Sequence, residues 1–82
     1  MTLAQRIREH IVGQYLSGDG TGLDDDTPLF ELNIIDSTSL FDLVRFLSEE
    51  ASVRIGRRHV VAANFETIGA MVRLVERARA AA

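Results

Sequence analysis

Three stretches of this chain place apolar residues at helical spacing, and none alternates them with the period of two that a half-buried strand needs. Leu40, Leu43, Val44 and Leu47 fall at i, i+3, i+4 and i+7, one face of a helix. Ile68, Met71, Val72 and Val75 repeat that spacing, and Leu3, Ile7, Ile11, Tyr15 and Leu16 form a third stripe. Such stripes bury only against one another. With 82 residues there is room for a single domain spanning 1–82. The expectation is a small all-α four-helix bundle, with three main helices plus one or two short ones.

Punctuation sets the boundaries. Thr2 and Gln5 have capping-box spacing, so the first helix should run from Thr2 to Leu16. It stops where Gly18, Gly20 and Gly22 crowd together. A long loop follows, from Leu23 to Asp36, and lets the first and second helices lie roughly antiparallel. A loop of that length needs anchors. Thr27-Pro28 should start one short helical turn, with Leu29, Phe30 and Leu32 plugging the loop into the core. The second helix is expected from about Ser37 to Glu50, and the last from about Thr67 to Arg79. Between them Val53 and Ile55 are anchors, Gly56 is a turn, and His59 to Ala62 is read as a short third helix. The Ala-rich end should fray.

Composition excludes several classes. The apolar fraction is 46 % with no Trp, so the core is mainly aliphatic. There is no Cys, hence no disulfide frame, thiol nucleophile or thiolate metal site, which suits a cytoplasmic protein. The N-terminus has no signal pattern, and no apolar run approaches the ~20 residues of a membrane span. Residues 1–50 carry ten acidic residues against three Arg, and residues 51–82 carry two Glu against six Arg. Nucleic-acid binding needs a broad basic face, which this split does not offer. A monomer is expected.

The stretch "NIIDSTSLFDL", from Asn33 to Leu43, sets an Asp and three hydroxyl residues ahead of the second helix. Asp36 or Ser37 would cap that helix. Yet a helix needs one cap, the stretch follows a polar loop, and Ile34 and Ile35 pin the chain just before it. A helix start presented outward also suits an anionic group such as a phosphate. Other candidates are weaker. Asp24, Asp25 and Asp26 are consecutive and lack calcium-loop spacing, so they read as a solvated loop. His10 and His59 lack ligand spacing and read as surface or rim residues. Arg57-Arg58-His59 is a small basic cluster, too short for nucleic acid; a partner contact near the third helix is its other reading. No metal site is expected, and no nucleophile–base set supports an enzyme.

"ELNIIDSTSLFDLVRFLSEE" resembles the modification motif of the acyl and peptidyl carrier proteins. "TPLFEL" resembles the short turn before that motif, and "NFETIGAMVRLV" is similar to the opening of the family's last helix. The resemblance implies that Ser37 carries 4′-phosphopantetheine, donated by coenzyme A. Asp36 would be the acidic neighbour read by the phosphopantetheinyl transferase. Asn33 stands where the family has Gly, and Asn is the next-best residue for a left-handed backbone. Thr38 replaces the family's Leu or Met. Ser39 is a second candidate serine, but inside the first turn it should bond backbone.

The implied role is a non-catalytic, stand-alone carrier that holds an acyl or aminoacyl thioester. It would serve polyketide or nonribosomal peptide type pathways to specialised metabolites such as antibiotics. Implied partners are the transferase, an adenylating ligase, and downstream tailoring, condensation or ketosynthase enzymes. They would meet Thr38, Phe41, Asp42 and Arg45 on the second helix. Phe41 also reads as a rim core residue, and Phe46 raises the same question. The alternatives are a fatty-acid synthesis carrier, and an unmodified helical interaction module in which Asp-Ser is only a cap.

Overall fold

The computed structural model describes residues 1–81. Three α-helices form the frame: α1 (Leu3–Tyr15), α2 (Ser39–Ala51) and α3 (Ile68–Ala81). Two short 3₁₀ turns, Arg57–His59 and Ala62–Phe65, stand between α2 and α3 in place of the single short helix expected at His59–Ala62. Among the described residues there is no strand, and no helix is long and apolar enough to cross a membrane.

The stripes meet as their spacing requires. Ile7 and Ile11 from α1, Leu43 and Leu47 from α2, and Ile68, Met71, Leu74 and Val75 from α3 are fully buried. Leu74 joins a face on which the spacing had placed Val72, which is only half-buried. The one fully buried aromatic, Phe65, comes from the second 3₁₀ turn and packs into the same core. That turn and α1 both pack against α3, which is the central helix of the domain.

The ends of the helices follow local chemistry. Thr2 caps α1 with a complete capping box: its Oγ1 accepts from Gln5 N–H at 3.1 Å, and Gln5 Oε1 accepts from Thr2 N–H at 2.8 Å. Thr67 Oγ1 accepts from Ala70 N–H at 2.9 Å and opens α3. The helix α3 continues through Ala80 and Ala81, where fraying was expected. Ala82, also assigned to that end, lies outside the described residues.

The long loop is stitched down at several points. Arg8 on α1 donates from Nε to Leu23 O at 3.2 Å and from Nη2 to Gly20 O at 2.9 Å. Gly69 N–H, in the first turn of α3, donates to Asp25 O, and Leu29 N–H donates to Glu66 O at 2.8 Å. Leu29 is fully buried and Ile35 nearly so, as the anchors should be. Leu32 differs: it is 58 % exposed. The segment after Pro28 forms linked turns with no helix, and these carry Leu32 outward.

Gly20 lies against the Arg8 clamp, where a Cβ would stand 2.7 Å from Arg8 Nη2 and 3.0 Å from Val12 Cγ2. Gly20→Ala is expected to push the guanidinium off its two carbonyls. The loss should be about 1 kcal/mol, read in a thermal melt as a Tm about 4–8 °C lower. An unchanged Tm would mean that the clamp contributes nothing.

Candidate functional site

The turn entering α2 is built by Asp36. Its Oδ1 accepts from Thr38 N–H at 3.0 Å, Ser39 N–H at 3.2 Å and Thr38 Oγ1 at 2.6 Å. Ser39 answers in reverse, its Oγ accepting from Asp36 N–H at 3.1 Å. This reciprocal arrangement is a capping box with Asp as the cap and Ser in the first turn. It also explains why regular α-helix begins at Ser39, two residues later than the spacing suggested: Asp36–Ser39 form a tighter lead-in, with Ser39 N–H donating to Asp36 O.

The cap sorts the hydroxyl residues. Ser39 is 7 % exposed and committed to Asp36. Thr38 is exposed, but its hydroxyl donates to the same carboxylate. Ser37 is exposed, and its Oγ takes part in no hydrogen bond among the described residues. Of the two residues expected as caps, Asp36 does the work and Ser37 is left presented to solvent. Asn33, at the preceding bend, has φ 56, the left-handed backbone expected where the family resemblance puts Gly. Ile35 is buried directly before the cap, so the turn is held by an anchor on one side and a helix on the other.

One expectation needs correction. A helix start suits an anionic group such as a phosphate, but here the Asp36 carboxylate already takes the Thr38 and Ser39 N–H groups. An anion attached at Ser37 would stand apart from those N–H groups. The hydrogen bonds from the Thr38 hydroxyl and the Ser39 N–H, with others from the same residues, hold the Asp36 carboxyl below its usual pKa.

Down α2 the outward face is now defined. Phe41 is 79 % exposed, so the rim-core reading does not describe it. Arg45 is also exposed and makes a solvated i,i+4 pair with Glu49, Nε to Oε1 at 3.2 Å. Phe46 turns the other way and stacks on His10 of α1, with ring centroids 4.0 Å apart. Asp42 reaches the same helix. Its Oδ2 lies 2.8 Å from His10 Nε2 and accepts from Tyr15 OH at 2.7 Å. This cluster ties α1 to α2. His10 was read as a lone rim residue and Tyr15 only as part of a stripe; a pairing across some thirty residues leaves no local signal.

Partial burial pushes the Asp42 carboxyl up, but hydrogen bonds from Tyr15 and His10 and the charges of His10 and Arg45 outweigh it and hold the pKa low. Burial and the bond to Asp42 push Tyr15 up to about 12. Both shifts are stability statements. Asp36 and Asp42 bind protons more readily when unfolded. Their contribution is therefore present above the ordinary carboxylate pKa of about 4 and is lost as pH falls through their lower folded values. Tyr15 acts oppositely, contributing below pH ~10 and losing that contribution as pH rises toward about 12. Urea midpoints from pH 6 to pH 2.5 should fall only below about pH 4. Asp42→Asn should show a shallower acid limb; an identical limb would remove Asp42 from the account.

No family profile matches the chain. Over 78 residues it is 50 % identical to a protein described as probable acyl carrier protein PigG from Serratia sp. (strain ATCC 39006), covering 95 % of this chain and 90 % of that one. Its fold matches a chain in a structure described as "Crystal structure of FAD-dependent dehydrogenase". That match has TM-score 0.70 and 30 % identity, over 82 % of this chain and 94 % of the other. Half-identity over nearly the whole length, on a helical bundle that leaves Ser37 exposed beside a capping Asp36, places this chain in the acyl carrier protein family.

Proposed function

We propose that Ser37 is the attachment site of 4′-phosphopantetheine and that the domain presents a thioester-bound acyl or aminoacyl group to enzymes without catalysing a reaction itself. The observation that carries this reading is the division of labour at α2, where Asp36 and Ser39 build the cap and Ser37 Oγ stays exposed. The residues fit the group: the oxygen is accessible, and the backbone beneath it is fixed by a satisfied cap. When bound, the group supplies a thiol that holds the cargo as a thioester.

Loading requires Ser37 Oγ to attack the β-phosphorus of coenzyme A. The new Oγ–P bond replaces the pyrophosphate P–O bond, and adenosine 3′,5′-bisphosphate leaves. Among the described residues no hydrogen bond links Ser37 Oγ to a base, and the adjacent Asp36 has its Oδ1 taken by Thr38 and Ser39 and its carboxyl held acidic. The transferase must therefore supply the base, together with Mg²⁺. Asp36 instead fixes the turn and gives the transferase a negative charge to recognise.

The partner face comprises Thr38, Phe41 and Arg45, with Asp42 contributing what its clamp leaves exposed. Exposure of Phe41 supports this, because an isolated phenyl ring in water is favourable to cover. Arg45 on this helix supports a carrier of specialised-metabolite type over a fatty-acid carrier. An adenylating ligase would load the thiol. Likeness to a chain from an FAD-dependent dehydrogenase structure supports such a dehydrogenase among the tailoring partners. That chain is shorter than this one, which leaves room for one small domain and not for a flavoenzyme.

Intact-mass spectrometry after incubation with coenzyme A, Mg²⁺ and a broad-specificity phosphopantetheinyl transferase tests the reading. A gain of one phosphopantetheine is expected. A folded protein that gains nothing under conditions that load a control carrier would favour the interaction-module alternative.

A further inference from the structure

The α2–α3 connection and the C-terminal ends of both helices enclose an open cleft of about 410 Å³. Arg54, Arg58, His59 and Arg79 line it around a floor that includes Ala51 and Ala78, and no acidic residue lines it among the described residues. We propose that this cleft docks an acidic protein segment, a Glu- or Asp-rich stretch of a partner enzyme.

Helix C-termini attract cations, so part of this charge has an internal use. Arg79 meets it, with Nη2 3.5 Å from Ala51 O at the end of α2. Arg54 and Arg58 are exposed, and neither forms an ion pair among the described residues. Neither donates a hydrogen bond to a helix-end carbonyl among the described residues, whereas Arg79 does. The wider charge map points the same way: six Arg against two Glu in residues 51–82, after ten acidic residues against three Arg in residues 1–50. A long polyanion such as nucleic acid would be repelled by the acidic half, whereas a short acidic segment can lie within the cleft. The apolar floor gives such a segment a surface that a bare phosphate ion cannot use.

The position is functionally apt, a point that rests on the Ser37 reading. The cleft lies at the opposite end of α2 from Ser37, about 20 Å away along a helix of this length. A partner held there leaves the attachment site free.

The test is an NMR titration of the ¹⁵N-labelled full chain with acetyl-hexaglutamate amide at low salt. Saturable shifts are expected at Val53–His59 and Ala78–Ala81. Binding should weaken about three- to tenfold in Arg54→Gln/Arg58→Gln, and the unchanged spectrum of the free variant would report that it folds. Arg54→Glu/Arg58→Glu should abolish binding. The proposal is overturned if shifts fall elsewhere or do not saturate, if the folded variants bind like the wild type, or if inorganic phosphate or a short oligothymidylate binds the cleft as tightly. Phosphopantetheine loading of the Gln variant should equal that of the wild type. Loss of loading in the wild type would sink the Ser37 reading, and loss of peptide binding only the cleft.

Discussion

Ser37→Ala is expected to remain folded and to take up no phosphopantetheine. The first half follows from the cap. Asp36 and Ser39 make the hydrogen bonds that start α2, and Ser37 contributes only its backbone carbonyl, which accepts from Leu40 N–H at 3.3 Å. Ala retains that carbonyl and is a good helix former, so stability should change by less than about 0.5 kcal/mol. The second half follows from the loss of the one exposed serine hydroxyl in this turn that is free of the Asp36 carboxylate. Ser39→Ala is the contrasting variant. It should load like the wild type but lose about 1 kcal/mol, because Asp36 N–H loses its acceptor. Intact-mass spectra and urea melts on both proteins give a crossed pattern. Loading of Ser37→Ala would move the site, and a nearly buried Ser39 could then react only if the first turn of α2 opened.

The helices were legible because periodicity is a local property. Leu43 and Leu47 sit at a spacing that only a helix can bury on one side, and they are fully buried. The Thr2–Gln5 box was legible for the same reason, being set within a few residues, whereas the left-handed Asn33 was expected only because the family resemblance puts Gly there. The Asp36–Ser37 pair stood out as a pattern, yet the assignment of capping needed geometry. Two neighbours of similar capping propensity cannot be separated until the chain direction shows whose oxygen meets which N–H. The contacts that escaped are the long-range ones. His10 with Asp42, Tyr15 with Asp42, and Arg8 with Leu23 each depend on two segments meeting, and nothing near His10 in the chain encodes Asp42. Leu32 failed through hydropathy taken alone: a turn beginning at Pro28 decides which way it points.

Phe65→Ala should be the most destabilising single change in the core, and Phe41→Ala among the least, although each removes the same phenyl group. Phe65 is fully buried, in contact with a core drawn from all three helices. Deleting it removes its transfer free energy and leaves a cavity, together costing about 3–5 kcal/mol. A domain this small has a total stability near the low end of 5–15 kcal/mol, so much of it would go. The urea midpoint should collapse toward zero, or the protein should lose its cooperative melt. Phe41 is 79 % exposed, and its truncation should shift stability by no more than about 0.5 kcal/mol. Under the proposed carrier role its effect is expected in association: transfer of cargo from a partner should slow, with the carrier's own melt unchanged. The paired melts decide between two roles for Phe41. A loss of several kcal/mol in Phe41→Ala would return the ring to the core and leave the partner face without its apolar contact. A silent melt with impaired transfer would identify the ring as a surface kept apolar for a partner to cover.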